Sequence, residues 1–585
     1  INANRNSQKL AAHSHNHLLS LSADGVESSV GVLRTDGYTL LINGKSDGNV
    51  TIDAANFVFS GLIGAVLHPE PQTALTIGLG TGLATGWLAE VDGITRVDVI
   101  ELEKAVVQVA DMARDVNFDV VRHPRVNIMI GDGREYLLTT RKRYDLIMSE
   151  PSNPYRAGVA ALYTTDFYRS ASSRLNPDGL FLQWLQGYEV EADTVRTVMA
   201  TMASVFPYVE VWHLHYHEIL LVASMKPVQH DLERVARRTA VEPFRSALAY
   251  FWGVSGPVGF YAAYLAGPQL PRTIYQRQPF ALNTDDRTLI EFEFARSVGI
   301  PSTFSIRDIQ RVARRWQIDR PPLQPPIDER ALAEARSVRQ LQLRDVVPQE
   351  FGDPAANLRH EARQAFANGH MSAGASIWRR QPRTPLMPRE LAMLTVALAS
   401  AGDPQTPALI ERLNTVLPAE ALLARAIYNF RQNDLDGATT ALIGVWTSAP
   451  GRQWLFQSLS RWLFDLMMMI AERSTTHGRQ LFTVLQTPLP GESMTGRREL
   501  IRYQLAKAVD FPGLCLKAIQ PYEPYPYWTE VFLRDRLKCY TLHQDPRATA
   551  AAADLDTYLR HQGSDFGTGL DVAQDAMGLH ASEAQ

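Results

Sequence analysis

The sequence predicts an α/β protein: a doubly wound sheet of mainly parallel strands behind a small N-terminal β element, followed by an all-α, helical-repeat-like C-terminal region. Three observations predict it. VDVIEL and DLIMSE are nearly continuous apolar runs, as strands covered on both faces must be. Helical patterns of roughly ten to fifteen residues separate such runs, which is the spacing of βαβ units. Beyond about residue 330 the chain turns Ala/Leu/Arg-rich with helical periodicity.

Residues 1 to 20 are polar and His/Asn/Ser-rich, the composition of a flexible lead-in. Residues 21 to 72 form the N-terminal β element, in which VGVLRTDGYTLLING alternates apolar and polar positions around Asp36-Gly37, the pattern of a tight hairpin. Residues 73 to 226 form the sheet domain. TALTIGLGTG reads as a strand and Gly-rich turn, LATGWLAEV as a helix, RVDVIEL as a strand, EKAVVQVADMARDV as a helix, RVNIMIGDG as a strand, REYLLTT as a short helix and YDLIMSE as a strand. LYTTDFYRSASSRLNPDGLFLQWL adds a helix, an Asn-Pro-Asp-Gly turn and a strand, and VRTVMATMASVFPYVEVWHLHYHEILLVAS adds a helix and two more strands. Residues 227 to 325 read as a mainly helical extension ending in the linker RPPLQPPIDER. Residues 326 to 585 read as helix pairs with alanine at close-packing positions, either a tetratricopeptide-like array or a plain bundle.

The totals bound the function. A chain of 585 residues is too long for one core. Apolar content of 45% and charged content of 21% are those of an ordinary globular protein. A net charge of −4 gives no reason to expect nucleic acid, whose binding rests on neutralising phosphates. Cys515 and Cys539 are too few for a disulfide framework and lack zinc-site spacing, so a reducing compartment is expected. WLFDLMMMIA is short and carries Asp465, whereas a membrane span needs ~20 apolar residues. The opening INANRN has neither an initiator Met nor a signal-peptide pattern, so the expectation is a fragment.

Ligands of doubly wound sheets bind beyond the carboxyl ends of the strands. Those ends are Gly78-Leu79-Gly80-Thr81-Gly82, Glu101, Asp132-Gly133 and Glu150, so all four are expected to face one crevice. The three glycines allow sharp turns and close approach to a ligand, although GxGxG by itself also serves helix–strand packing. Glu101, about twenty positions on, suits a pair of ribose hydroxyls. Asp132 suits an adenine amino group. Together they point to an adenosine ligand. A dinucleotide site needs GxGxxG, and Gly80 is followed here by Thr81, Gly82 and Leu83, so S-adenosylmethionine or a related sulfonium fits better than NAD.

DLIMSEPSNP delivers Glu150 to the crevice and breaks at Pro151, with Asn153-Pro154 shaping the opposite wall. A sulfonium donor already carries a good leaving group, so the protein must orient a nucleophile and accept its proton. An amine of pKa about 10 has to lose that proton before it attacks. Glu150 is the expected catalytic base, the alternative being a carboxylate that caps a turn.

GLGTG, VIELEKAVVQVA, GDGREYL, YDLIMSEPSNP, LYTTDFYR and LNPDGLFLQW stand in the order and spacing of the spermidine synthases, which the chain resembles from about residue 30 to 226. More specifically it is similar to the branch often joined to membrane-spanning segments upstream, with NTDDRTLIEFEFAR at 283 to 296 resembling the close of that branch's catalytic region. The resemblance implies a class I methyltransferase-like (Rossmann-like) fold. It implies decarboxylated S-adenosylmethionine as donor, a diamine as the small-molecule amine acceptor, no metal, and a place in polyamine biosynthesis. It implies that Glu101 and Asp132, with Gly133, hold ribose and adenine, that Gly78, Gly80, Thr81 and Gly82 line the donor's tail, and that Glu150 takes the family's catalytic aspartate position. Asn153 and Tyr163 fall on the acceptor side. It also leads to the expectation of a cytoplasmic protein held at the membrane by an upstream anchor, a homodimer, and a protein partner for the C-terminal helices.

Three positions depart from the family. Thr81 stands where an aspartate pairs with the donor's amine, Asn153 replaces a second aspartate, and Asn56-Phe57-Val58 replaces the Tyr-His-Glu that recognises the diamine. Each missing charged interaction would be worth ~1.5–3 kcal/mol, so putrescine should bind poorly without a substitute. Methyl transfer from intact S-adenosylmethionine and an inactive nucleoside-binding scaffold are the alternatives.

Other features carry less. His213, His215 and His217 alternate, as on one face of an exposed edge strand or hairpin, too far apart along it to share one ion. Asp285-Asp286-Arg287 reads as a salt-bridged turn, Asp166 as a helix-start residue, and Ser149 lacks a nucleophile elbow. WLFDLMMMI reads as a helix core.

Overall fold

A computed structural model describes residues 19–277, 281–341, 351–447 and 455–562. The expected lead-in lies outside the described residues apart from its last two positions. Strands β1 (Leu19–Asp24), β2 (Ser29–Thr35), β3 (Gly37–Ile42) and β4 (Lys45–Asn49) form a sheet in sequence order. Thr35 pairs with Gly37, whose φ of +97° makes the expected hairpin at Asp36-Gly37. Helix α1 (Ala54–Leu67) follows and is buried along almost its whole length.

The main sheet takes β5 (Thr73–Ile77), β6 (Arg96–Glu101), β7 (Val126–Ile130), β8 (Tyr144–Ser149), β9 (Leu175–Leu185), β10 (Tyr208–His213), β11 (Ile219–Ser224) and β12 (Tyr264–Ala266) in the order 12-10-11-9-8-5-6-7. The stretch from β9 to β7 is parallel, and β11, β10 and β12 extend it antiparallel. Helices α2 (Leu83–Ala89), α3 (Lys104–Met112), α4 (Gly133–Thr139), α5 (Thr165–Ser173) and α6 (Ala192–Ala203) connect the strands. Two apolar cores, one holding Leu62, Val97 and Leu182 and the other Leu75, Ile147 and Phe181, form from the alternate side chains of these strands. The architecture is the expected Rossmann-like, methyltransferase-like sheet. The chain leaves β5 toward β6 and returns to its other side as β8, so the strand order reverses between β5 and β8.

One local expectation is corrected. Asn176 to Gly179 do not end a helix-to-strand turn; β9 already begins at Leu175, and the four residues bulge between Leu175 and Leu180, which pair with Tyr144 and Leu146. The helical extension also returns to the sheet, since β12 pairs with β10.

Helices follow one another from Glu329 to the end of the described chain. Residues 21–466 with 488–495 form one compact unit, and 467–487 with 496–562 belong to a second. In the second unit Cys515 and Cys539 are disulfide-bonded with Cα atoms 6.0 Å apart. Two cysteines do not make a framework, but adjacent helices bring these two into register. No helix among the described residues is long and apolar enough to cross a membrane.

Candidate active site

Gly78 and Glu150 directly follow the last residues of β5 and β8, the two strands at the order reversal. The Glu150 N–H donates to the Ile77 carbonyl at 3.1 Å, and the Gly78 N–H to the Ile100 carbonyl at 2.9 Å, tying three strand ends together. Gly78 has a φ of +91°, and a Cβ there would stand 2.8 Å from the Glu150 carbonyl oxygen. Glycine at this position therefore meets both a backbone and a steric requirement.

These two segments wall a cavity of about 380 Å³. Its other walls include Lys45, Asp47, Asp53, Asn56 and Phe57 from the N-terminal part, Trp184 on β9, Tyr188 just beyond it, and the turn Tyr216-His217-Glu218 between β10 and β11. Thr81 and Asn153 line it as well. The Thr81 hydroxyl and both amide atoms of Asn56 are buried without a partner among the described residues.

Its electrostatics are those of unpaired carboxylates. Glu150 Oε1 is buried without a hydrogen-bond partner, and burial pushes the Glu150 carboxyl up to about 8, against a smaller pull from the Ser60 hydroxyl. Burial likewise pushes Glu218 up to about 8; a 2.8 Å hydrogen bond from Trp184 Nε1 opposes this, while Asp53 and Glu150 add to it. Asp53 accepts the Asn49 N–H at 2.7 Å and is raised by burial. Among the described residues none of these three has a cationic partner within ion-pair distance. Asp47, by contrast, pairs with Arg156 at 3.0 Å. Asp98 shows what a satisfied buried carboxylate looks like: burial raises it, but bonds from Lys142, Asn127, Arg96 and Tyr144 outweigh that and hold it below the usual range. Protein groups meet the electrostatic demand of Asp98, whereas among the described residues no cation does so for Asp53, Glu150 or Glu218.

The other expected donor-binding residues lie outside this wall. Glu101 is buried behind the glycine loop, accepting the Leu79 N–H at 2.8 Å and the Glu103 N–H at 2.9 Å. Asp132 is exposed and caps α4, accepting the Arg134 N–H at 2.6 Å. A Cβ on neighbouring Gly133 would come 2.6 Å from the Ile77 side chain. Gly82 adopts a φ of +78° at the start of α2. Of positions 80, 101, 132 and 150, expected to face one crevice, Gly80 and Glu150 line this cavity and Glu101 and Asp132 do not. They share one edge of the sheet, but the Glu101 and Asp132 carboxylates are engaged with backbone N–H groups, and only the glycine loop and Glu150 reach the cavity.

Tyr163 is also corrected. It is fully buried, its hydroxyl donates to the Trp184 carbonyl at 2.9 Å, and it supports the wall without lining it. Asn153 donates to Gln186 Oε1 at 2.7 Å and to the Tyr188 hydroxyl at 3.0 Å, which fixes its side chain in the wall. Asp166 sits in the first turn of α5. Asp285 ion-pairs with Arg134 and accepts from the Thr164 hydroxyl, in a turn closed by the Thr284–Arg287 bridge. The three histidines do not share a strand face: β10 ends at His213, the chain turns through Tyr216 at φ +47°, and His213 and His215 are buried.

Sequence reasoning missed Asp53, Glu218, Trp184 and Tyr188. They come from three separate segments, and the one visible signal was the His-Glu pair that ends the histidine run.

Known proteins resemble the chain across this same region. A polyamine aminopropyltransferase of Clostridium perfringens is 26% identical over 177 residues, 28% of this chain and 62% of that protein. The Thermococcus kodakarensis enzyme of the same name is 33% identical over 124 residues, 20% of this chain and 42% of that protein. The chain thus spans less than two thirds of the curated relatives it matches. A solved spermidine synthase in complex with the transition state analogue AdoDATO aligns with 45% of this chain and 89% of its own at 16% identity, TM-score 0.38. That from Thermotoga maritima aligns with 38% and 78% at 18% identity, TM-score 0.33. Over residues 61–217, then, the chain carries a match to the spermine/spermidine synthase domain family.

Proposed function

We propose that this cavity transfers an aminopropyl group from decarboxylated S-adenosylmethionine to a small amine. The observation that carries the proposal is the set of three enclosed carboxylates, Asp53, Glu150 and Glu218, without a cationic partner among the described residues. Buried charge without a counterion is costly, so such a cavity favours cations. The sulfonium donor and an ammonium acceptor are both cations. Asp53 and Glu218 supply the anionic groups missing at Thr81, Asn153 and Asn56-Phe57-Val58. The names of the relatives support the same reaction.

In this mechanism the acceptor amine attacks the propyl carbon bonded to sulfur. The C–N bond forms as the C–S bond breaks, the electron pair leaves on sulfur as a neutral thioether, and the surplus amine proton passes to Glu150. A carboxyl poised near 8 is well matched to that transfer at neutral to alkaline pH. Glu218, held by Trp184, takes the acceptor's distal ammonium, and Asp53 and Asn56 line its path. Gly78, Gly80 and Thr81 take the donor's tail, and its nucleoside runs along the strand ends past Glu101 toward Asp132 and Gly133.

Mass spectrometry of products from each donor with a panel of diamines tests the proposal. Methylthioadenosine together with an aminopropylated amine is expected. S-adenosylhomocysteine with a methylated product, which the neutral Thr81 would admit, or no turnover of either donor, would overturn it.

A further inference from the structure

Behind the Tyr216 turn lies a second, smaller cavity of about 50 Å³, and its lining is cationic. Arg339, near the end of the helix Glu329–Gln340, lines it and is only 6% exposed. One amino group of Arg339 donates to the carbonyls of His213 at 2.9 Å and Leu214 at 2.7 Å, and its guanidinium stacks over Trp252 at 4.0 Å. Its Nε–H has no partner, and no carboxylate among the described residues lies within ion-pair distance of it. Neighbouring Arg336 is different, since it pairs with Asp319 at 2.9 Å.

His215 lines the same cavity and is 7% exposed, and among the described residues neither of its ring nitrogens has a hydrogen-bond partner. The side-chain oxygen of Gln340, another lining residue, is also buried and has no partner among the described residues. A neutral imidazole offers one donor and one acceptor. These groups together call for an occupant that is negatively charged, accepts hydrogen bonds and also donates one. A water needs roughly 10–15 Å³ of such space, so the cavity has room for a group of a few heavy atoms.

We propose that this cavity is a binding site for a phosphate group. Hydrogen phosphate supplies the counter-charge for Arg339, accepts from Arg339 Nε–H and one His215 nitrogen, and donates its own O–H to the other His215 nitrogen or to Gln340. Sulfate offers the charge without the donor. Tyr216 and His217 line both this cavity and the larger one, so the site abuts the turn that carries Glu218. The assignment stands whether or not the larger cavity transfers an aminopropyl group.

Titration calorimetry of the full chain with inorganic phosphate, sulfate and glycerol phosphate at fixed ionic strength tests it. One saturable phosphate site per chain is expected, at least tenfold weaker for sulfate. Arg339→Gln and His215→Phe, each checked for native circular dichroism, should each weaken it at least tenfold. His215→Phe decides if Arg339→Gln does not fold. Tighter binding of glycerol phosphate than of inorganic phosphate would mark the source as a phosphomonoester. No saturable phosphate heat, equal affinity for sulfate, or unchanged affinity in the folded variants would overturn the proposal.

Discussion

Gly78 lies with its α-carbon against the Glu150 carbonyl, where a β-carbon would stand only 2.8 Å from the oxygen. This close approach couples the ligand-facing loop after β5 to the proposed base after β8, since the backbone of one sets the position of the other. Gly78→Ala should therefore shift Glu150 as well as strain a φ of +91°. A fall in kcat of roughly 10²-fold or more is expected, because ångström misplacement of a reacting group costs that much. Steady-state kinetics and a thermal melt separate this from unfolding; wild-type kcat would refute the coupling.

Glu150→Gln keeps the shape and removes the proposed base. A loss in kcat of roughly 10²–10⁴-fold with little change in donor affinity is expected from single-turnover kinetics and calorimetry.

The raised carboxyls also set a pH dependence of stability. Glu150 and Glu218 titrate near 8 when folded and in the ordinary carboxylate range when unfolded. Their contribution is fully present below the unfolded value and declines as pH climbs through about 8, because the unfolded chain ionises them more easily. Melting temperature of the ligand-free protein should fall as pH rises from the ordinary carboxylate range to about 8 and level off above it. The Glu150→Gln/Glu218→Gln double variant should flatten that slope, and a slope unchanged in the double variant would exclude these groups.

Glu218→Gln should raise the KM for a diamine by about tenfold to a hundredfold while kcat changes only a few-fold, the signature of a charged interaction removed from binding. Trp184→Phe removes the hydrogen bond that favours the Glu218 anion, so the acceptor KM should rise there too, and its decline with pH should move to higher pH.

In the second compact unit, Cys515→Ser/Cys539→Ser opens a link between residues 24 apart in sequence. Loss of about 2–4 kcal/mol from that unit's urea transition is expected, and reducing agent should reproduce it in the wild type.

The sheet was legible in the sequence because each parallel strand is a local apolar run, and its covering helices are local periodicities. VDVIEL and DLIMSE could be strands of little else, and the glycine loop and Glu150 sit at strand ends for the same local reason. What tertiary structure decided is which polar groups share a space. Glu101 and Asp132 stand at strand ends as expected, yet backbone N–H groups capture their carboxylates. Asp53 and Glu218 lie 165 positions apart, and only the packing of the N-terminal sheet and the β10–β11 turn against the strand ends places them around one cavity. Chain pattern dictates where a backbone goes; the field inside a cavity depends on distances between segments that no local pattern encodes.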